Sequence, residues 1–404
     1  MIYQASLDNG IRIIHIPVEG PVAHCGLLIN AGSRDEGDSE HGIAHLTEHL
    51  LFKGTKKRKP YHILSRIEDV GGEINAYTTK EETCIHASFL KEDYERSLEL
   101  FHDVVFNSIF PENEITKEKE VIIDEINSYR DNPSDLIFDD FEELLFHNQP
   151  LGRNILGTET SLQHINQDWI KQFTENHYYT NQMIISSAGN MDFNKFYNLV
   201  IKYFDRIPQK LGHPDRNISA PKPFSKEIKK GTYQVHGIMG SAVYPDTEKK
   251  RLSLALLTNI LGGPGLNSRL NLSLREKYGY AYNIESSYNT YTDLGVFTVY
   301  FGTDEKDLHK SLKKIKIEFD KLKNKKLGIQ QLKKAKKQFT GQVLINASNH
   351  ETLMLVTGKK LMMFNKAEEL NEVIGRINQI SAEDIMEAAH ELLDENRMAT
   401  LIYS

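Results

Sequence analysis

The chain has 404 residues with 49 Lys and Arg against 56 Asp and Glu, a formal charge of −7, which speaks against a dedicated nucleic-acid binder with its strongly basic footprint. At roughly 100–200 residues per domain, the length fits two or three domains, each large enough for its own core. Hydrophobic residues make up 39% and charged residues 26%, and no apolar run approaches the ~18–20 residues of a membrane-spanning helix, so no membrane span is expected.

From Met1 to Ile16, polar and apolar residues alternate around Asp8-Asn9-Gly10, which predicts a hairpin. The stretch lacks the basic start, apolar run and small-residue cleavage site of a secretory signal, so a cytoplasmic location is expected. The patterning then predicts a strand from Ala23 to Ala31, a helix around His45 and a strand from Ile74 to Leu90. Helices follow from Tyr94 to Asn107 and from Glu112 to Tyr129, with a closing helix and strand. Cys25 and Cys84 are the only cysteines and are expected as reduced core residues.

Four of the twelve prolines, Pro208, Pro214, Pro221 and Pro223, fall among Gly, Asn, Ser and charged residues. This composition predicts a linker over 208–224 between an N-terminal domain, 1–207, and a C-terminal domain, 225–404. A repeat supports the division. Ile165-Asn166-Gln167-Asp168 with Asn181-Gln182-Met183 recurs 215 residues later as Ile380-Ser381-Ala382-Glu383 with Asn396-Arg397-Met398. Strands mixed with amphipathic helices, without regular βαβ alternation, predict an α+β fold of two homologous domains, each an antiparallel or mixed sheet layered with helices. In the second half, Gly262-Gly263-Pro264-Gly265 lacks the Lys-Ser/Thr ending of a phosphate-binding loop. From Lys310 to Lys337, twelve lysines stand against Glu318 and Asp320, the pattern of solvated helices; the alternative is salt-sensitive attraction of acidic peptides or lipid headgroups.

The chemistry-bearing motif is His45-Leu46-Thr47-Glu48-His49. Imidazoles at i and i+4 share one helical face and can bind one metal ion, and Glu48, three residues after His45, overlooks the same spot. This is the inverted form of the common zinc-protease helix motif. A zinc hydrolase needs a third His, Asp or Glu and leaves the fourth position for water, and spacing alone does not choose among the acids.

With this motif, four further stretches are similar to the pitrilysin family of inverted-motif zinc peptidases, closest to its processing-peptidase-like bacterial type. They are Gly32-Ser33-Arg34-Asp35-Glu36, Gly71-Gly72-Glu73-Ile74-Asn75-Ala76-Tyr77-Thr78, Pro150-Leu151-Gly152-Arg153 with Leu156-Gly157-Thr158, and Arg275-Glu276-Lys277-Tyr278-Gly279-Tyr280-Ala281-Tyr282. The resemblance covers most of the chain. It implies a zinc metalloendopeptidase holding one Zn2+ per chain through His45, His49 and Glu125, with Glu118 two helical turns before Glu125 on the same face. It further implies Glu48 as the base, Arg275 and Tyr282 as groups reaching the bound peptide, and a peptide added as a strand along Asn75, Ala76, Tyr77 and Thr78. Single-chain members close four such domains around a peptide or unfolded segment, so two domains imply a homodimer, or a heterodimer with a related inactive chain. The rival reading is a non-catalytic chamber or scaffold subunit. One departure is that Thr83 is followed by Cys84 and Ile85, where the family often places an aromatic residue. The repeat offset carries His45, Glu48, His49 and Glu125 onto Ile260, Gly263, Pro264 and Thr340, so the second half has no copy of the site and is expected to complete the chamber.

Overall fold

The computed structural model describes residues 2–243, 245 and 250–404. At the first turn Gly10 takes φ +97°, and the Asn9 side chain donates to the carbonyls of Phe204 and Ile207 at 2.8 and 3.1 Å. The hairpin joins β1 (Tyr3–Ser6) to β2 (Arg12–Pro17), with Tyr3 opposite His15. With β3 (Val22–Ile29), β4 (Glu73–Thr78), β5 (Thr83–Leu90) and β6 (Met183–Gly189) it forms a sheet ordered β1-β2-β6-β3-β5-β4. The single strand expected from Ile74 to Leu90 is therefore two. Thr79 reverses the chain by donating its N–H to the Glu82 carbonyl at 2.7 Å while its hydroxyl accepts from the Glu82 N–H at 3.0 Å, a turn with no Gly or Pro to announce it. The reversal leaves β4 at the sheet edge.

The helices of this half are α1 (Ile43–Leu50), α2 (Pro60–Glu68), α3 (Tyr94–Phe106), α4 (Glu112–Arg130), α5 (Pro133–Leu145), α6 (Glu159–His164), α7 (Gln167–His177) and α8 (Phe193–Phe204). The second half brings β7 (Ser225–Ile228), β8 (Val235–Val243), α9 (Arg251–Gly262), a π-helical turn Asn271–Lys277, β9 (Ala281–Thr290), β10 (Gly295–Thr303) and α10 (Leu308–Asn324). It ends with α11 (Ile329–Ser348), α12 (His350–Phe364), α13 (Leu370–Gln379), α14 (Ala382–Leu392) and β11 (Ala399–Tyr403). The second sheet, ordered β7-β11-β8-β10-β9, repeats the path β2-β6-β3-β5-β4. Parallel pairing of β7 with β11 mirrors that of β2 with β6.

A sheet buried on both faces needs cover on both, and chain order supplies it by exchange. One compact unit takes the chain up to Asn127, Arg153–Arg216 and Ile345–Glu369; the other takes Ser128–Gly152, Asn217–Leu344 and Leu370–Ser404. In the first, one sheet face packs against α1, α3 and α8 through residues such as Leu27, Ile43, Phe101 and Phe196. The other face meets α12, where Ile14, Leu28, Cys84 and Ile184 pack with Leu361 and Met362. Hence β6 is buried along its whole length, and its polar residues find partners: Ser186 donates to the Met354 carbonyl at 2.7 Å, and Ser187 bonds Tyr94 Oη at 2.9 Å. In the second unit α5 plays the matching part, with Ile137, Phe141 and Leu145 packed on Ile238, Val296 and Leu401. Cys25 and Cys84 are buried free thiols.

Gly358 lets α12 lie close: a Cβ there would sit 3.0 Å from Ser186 Cβ and 3.1 Å from Leu28 Cδ1, whereas one at Gly375 in α13 would meet nothing within 4 Å. Gly358→Val should therefore lower unfolding stability by about 1–3 kcal/mol through overpacking. Gly375→Ala should raise it by up to about 1 kcal/mol through helix propensity. Denaturant unfolding of both variants checks the pair.

Candidate metal centre

The site starts at the amino end of α1. Gly42 precedes the helix with φ +95°, and a Cβ there would lie 2.9 Å from the Leu156 carbonyl oxygen. A glycine offers no capping side chain, and Glu36 supplies the cap from six residues back. The N–H groups of Gly42 and Ala44 each donate to one of its carboxylate oxygens at 2.9 Å. A carboxylate at this end also meets the positive pole of the helix dipole. Glu36 is only 4% exposed, and burial pushes its carboxyl up to about 8 against the pull of both N–H donors, Arg153 and Lys80. Arg153 in turn donates to the Glu36 carbonyl at 3.1 Å and pairs with Asp38, and the Lys80 ammonium donates to the Arg153 carbonyl. These bonds tie the 150–158 loop to the start of α1.

With α1 so held, His45 is buried and His49 half-buried, their rings 4.6 Å apart. In α4 the residues turned inward are Ile115, Glu118, Ile122 and Ile126, spaced as one helical stripe, so Glu118 occupies a core position. It is satisfied there: Lys53 Nζ lies 2.8 Å from one oxygen and His49 Nδ1 bonds the other at 3.0 Å. A carboxylate on Nδ1 makes that nitrogen the donor and leaves the Nε2 lone pair free. Glu125, seven residues on, is half-buried, with Oε2 3.9 Å from His45 Nε2.

Ligand atoms of His45, His49 and Glu125 all lie within 4.8 Å of one another, the one such group among the described residues. Tetrahedral ligands at bonds of about 2.1 Å sit about 3.4 Å apart, so a small inward adjustment lets these three share an ion. Two observations fit that donor set. His45 Nδ1 is buried without a hydrogen-bond partner, and burial, with His49 adjacent, pushes the His45 pKa down to about 3, keeping the ring neutral as a ligand must be.

Glu48 is buried beside the cluster and accepts a 2.9 Å hydrogen bond from the Thr78 hydroxyl. Its carboxyl is pushed up by burial and by Glu125, against the Thr78 bond and His49. Thr78 ends β4; Asn75 is exposed and Ala76 half-buried on the same edge strand, opposite His86 and Ile85 of β5. Arg275 and Tyr282 belong to the second unit, both exposed: Arg275 lies on the π-helical turn 3.9 Å from Glu276, and Tyr282 is the second residue of β9, its hydroxyl 3.5 Å from Asp304. The cap from Glu36 has no sequence signature, because six residues separate it from Gly42 and no capping-box spacing applies.

Residues 14–159 match the family described as insulinase, peptidase family M16, and residues 164–339 match the peptidase M16 inactive domain. A Bacillus subtilis protein named an uncharacterized zinc protease, YmxG, is 32% identical over 100% of this chain and 98% of its own length. The chain belongs to peptidase family M16. An uncharacterized zinc protease of Rickettsia felis is also 32% identical, over 98% of this chain and 96% of its own. In fold, this M16 chain is similar to a protease from Helicobacter pylori, with a TM-score of 0.93 at 22% identity over 100% and 99% of the two chains. A Pseudomonas fluorescens peptidase M16 inactive domain gives 0.91 at 20% identity, over 100% and 97%. The match to an inactive domain runs from residue 164, before α7, to residue 339 and takes in α9, which contains no His, Asp or Glu.

Removing the Glu36 cap should loosen α1 before it touches any ligand. Glu36→Ala is expected to cost about 1–3 kcal/mol, because two buried N–H groups lose their acceptors. Glu36→Gln, which keeps one carbonyl acceptor, should cost less. Denaturant melts of the metal-free proteins measure this without reference to zinc.

Proposed function

We propose that the chain is a zinc metalloendopeptidase that hydrolyses peptides or unfolded segments bound extended, with residues 1–207 as the zinc-binding half and 225–404 as a homologous half that contributes substrate contacts. The observation that carries the reading is the convergence of His45, His49 and Glu125 next to a buried Glu48. Zinc held by these three, one ion per chain, supplies Lewis acidity at the scissile carbonyl.

The chain's own groups do the rest. Glu48, its carboxyl pushed up by burial, takes the proton of the attacking water and delivers it to the leaving amine. The Thr78 hydroxyl holds Glu48 in place, and Glu118 holds the His49 ring by Nδ1, leaving its other nitrogen as the atom that would serve as a ligand. Thr78 ends the edge strand β4, so a peptide paired along Asn75, Ala76 and Tyr77 is led toward Glu48 by backbone bonds that tolerate many sequences. Tyr282 donates to the developing oxyanion and Arg275 orients the substrate backbone. The working form in this reading is a cytoplasmic homodimer, or a heterodimer with a related inactive chain, in which Arg275 and Tyr282 reach the metal centre of the other chain. The retained ligand set and base favour this over a non-catalytic scaffold.

Glu48→Gln is expected to keep zinc and lose turnover by about 10²–10⁴-fold, the range for a general base. Glu125→Gln should lose zinc itself. Metal analysis with a fluorogenic peptide separates the roles, and the reverse pattern would exchange them. Chelation should stop cleavage while leaving the melting transition cooperative, because both cores are large without the ion. Glu48→Gln mixed with Tyr282→Phe, with subunit exchange verified, should regain turnover; exchange without recovery would place Tyr282 outside the shared site.

A further inference from the structure

The lysine-rich stretch is not uniformly a solvated face. Part of it converges in the second unit on a cavity of about 420 Å³ formed by α10 and the π-helical turn, within the size range of small-molecule sites. Arg269, Lys277, Lys314, Lys321, Lys325 and Lys326 line it, against the single carboxylate of Glu318. A chain whose net charge is −7 thus gathers six cations around one acid.

Local pairing does not quench this charge. Lys321 takes Glu318 at 2.6 Å, and Lys326 takes Glu383 at 2.6 Å. Lys314 rests 3.9 Å above the Tyr278 ring, and hydrogen bonding to Lys314, with Lys277 close by, pulls the Tyr278 hydroxyl pKa down. Among the described residues, Arg269, Lys277 and Lys325 have no carboxylate within ion-pair distance. Arg269 matters most, because it is half-buried: its guanidinium has lost hydration, and Glu318 is the single charge that offsets the loss. A guanidinium with five donors and no acceptor, held among like charges, is a costly arrangement that a multivalent anion relieves.

We propose that this cavity binds a polyphosphate-class anion. Several oxygens bearing multiple charges match six converging cations, whereas one carboxylate neutralises a single one of them, and the planar Arg269 fork suits bidentate phosphate contact. A free polyphosphate and a phosphorylated lipid headgroup share this chemistry.

The test titrates tripolyphosphate into the full-length protein by calorimetry at 0.05 M and 0.15 M salt. The expected result is saturable binding that weakens with salt and falls at least about tenfold in Arg269→Gln/Lys325→Gln, while Lys333→Gln/Lys334→Gln, in the same lysine run but outside the cavity, leaves it unchanged. Lys325→Gln and Lys277→Gln singly, both at exposed positions, provide variants that leave the core untouched should the double change fail to fold. Cosedimentation with phosphatidylcholine vesicles containing a polyphosphoinositide, competed by tripolyphosphate, would assign the headgroup as source; tripolyphosphate binding without cosedimentation would assign the free anion. No binding at millimolar tripolyphosphate, or equal weakening by the cavity and control variants, overturns the proposal.

Discussion

The chemistry of the first unit depends on a buried carboxylate at the amino end of a short helix. Helix α1 is two turns long, too short to be stable alone, and its first residue follows a left-handed glycine that contributes no cap. Glu36 closes that end with two hydrogen bonds, and through Arg153 and Lys80 the same corner holds the 150–158 loop. In the proposed reading two imidazoles and a base must be held to within about 0.5 Å, and the capped start of α1 is what fixes them.

Farther along the site the same logic recurs with other groups. Glu118 lies in the core stripe of α4, where an aliphatic residue would pack, and is tolerated because Lys53 and His49 satisfy both oxygens. Thr78, at the end of an edge strand, fixes Glu48. One interior polar network therefore joins three elements: α1, α4 and β4. Burial within it also tunes the groups, driving His45 toward the neutral ring and Glu48 toward protonation.

The two units share one strand topology and differ in the side chains they carry. Each sheet has two buried faces, and in each the second face is covered by a helix that chain order assigns to the other half, α12 in one case and α5 in the other. Symmetry of architecture does not extend to charge. Where α1 carries His45, Glu48 and His49, α9 has no charged or His residue after Arg251; the second unit instead concentrates cations around Arg269.

What the sequence determined by itself was local or periodic. His45, Glu48 and His49 share a face because helical spacing is set within one turn, Asn9-Gly10 turns a hairpin for reasons internal to two residues, and a 215-residue repeat needs no coordinates to index. Spacing could not choose Glu125 among the acids; the packing of α4 against α1 brings its carboxylate 3.9 Å from His45. Nor could composition find the turn at Thr79, the cap from Glu36, or the exchange of α5 and α12 between sheets. It also could not sort twelve lysines into solvated ones and ones facing a cavity. Each of these depends on side chains far apart in sequence meeting in a dense core, and such contacts are settled by the sum of packing over the whole unit rather than by any local run of residues.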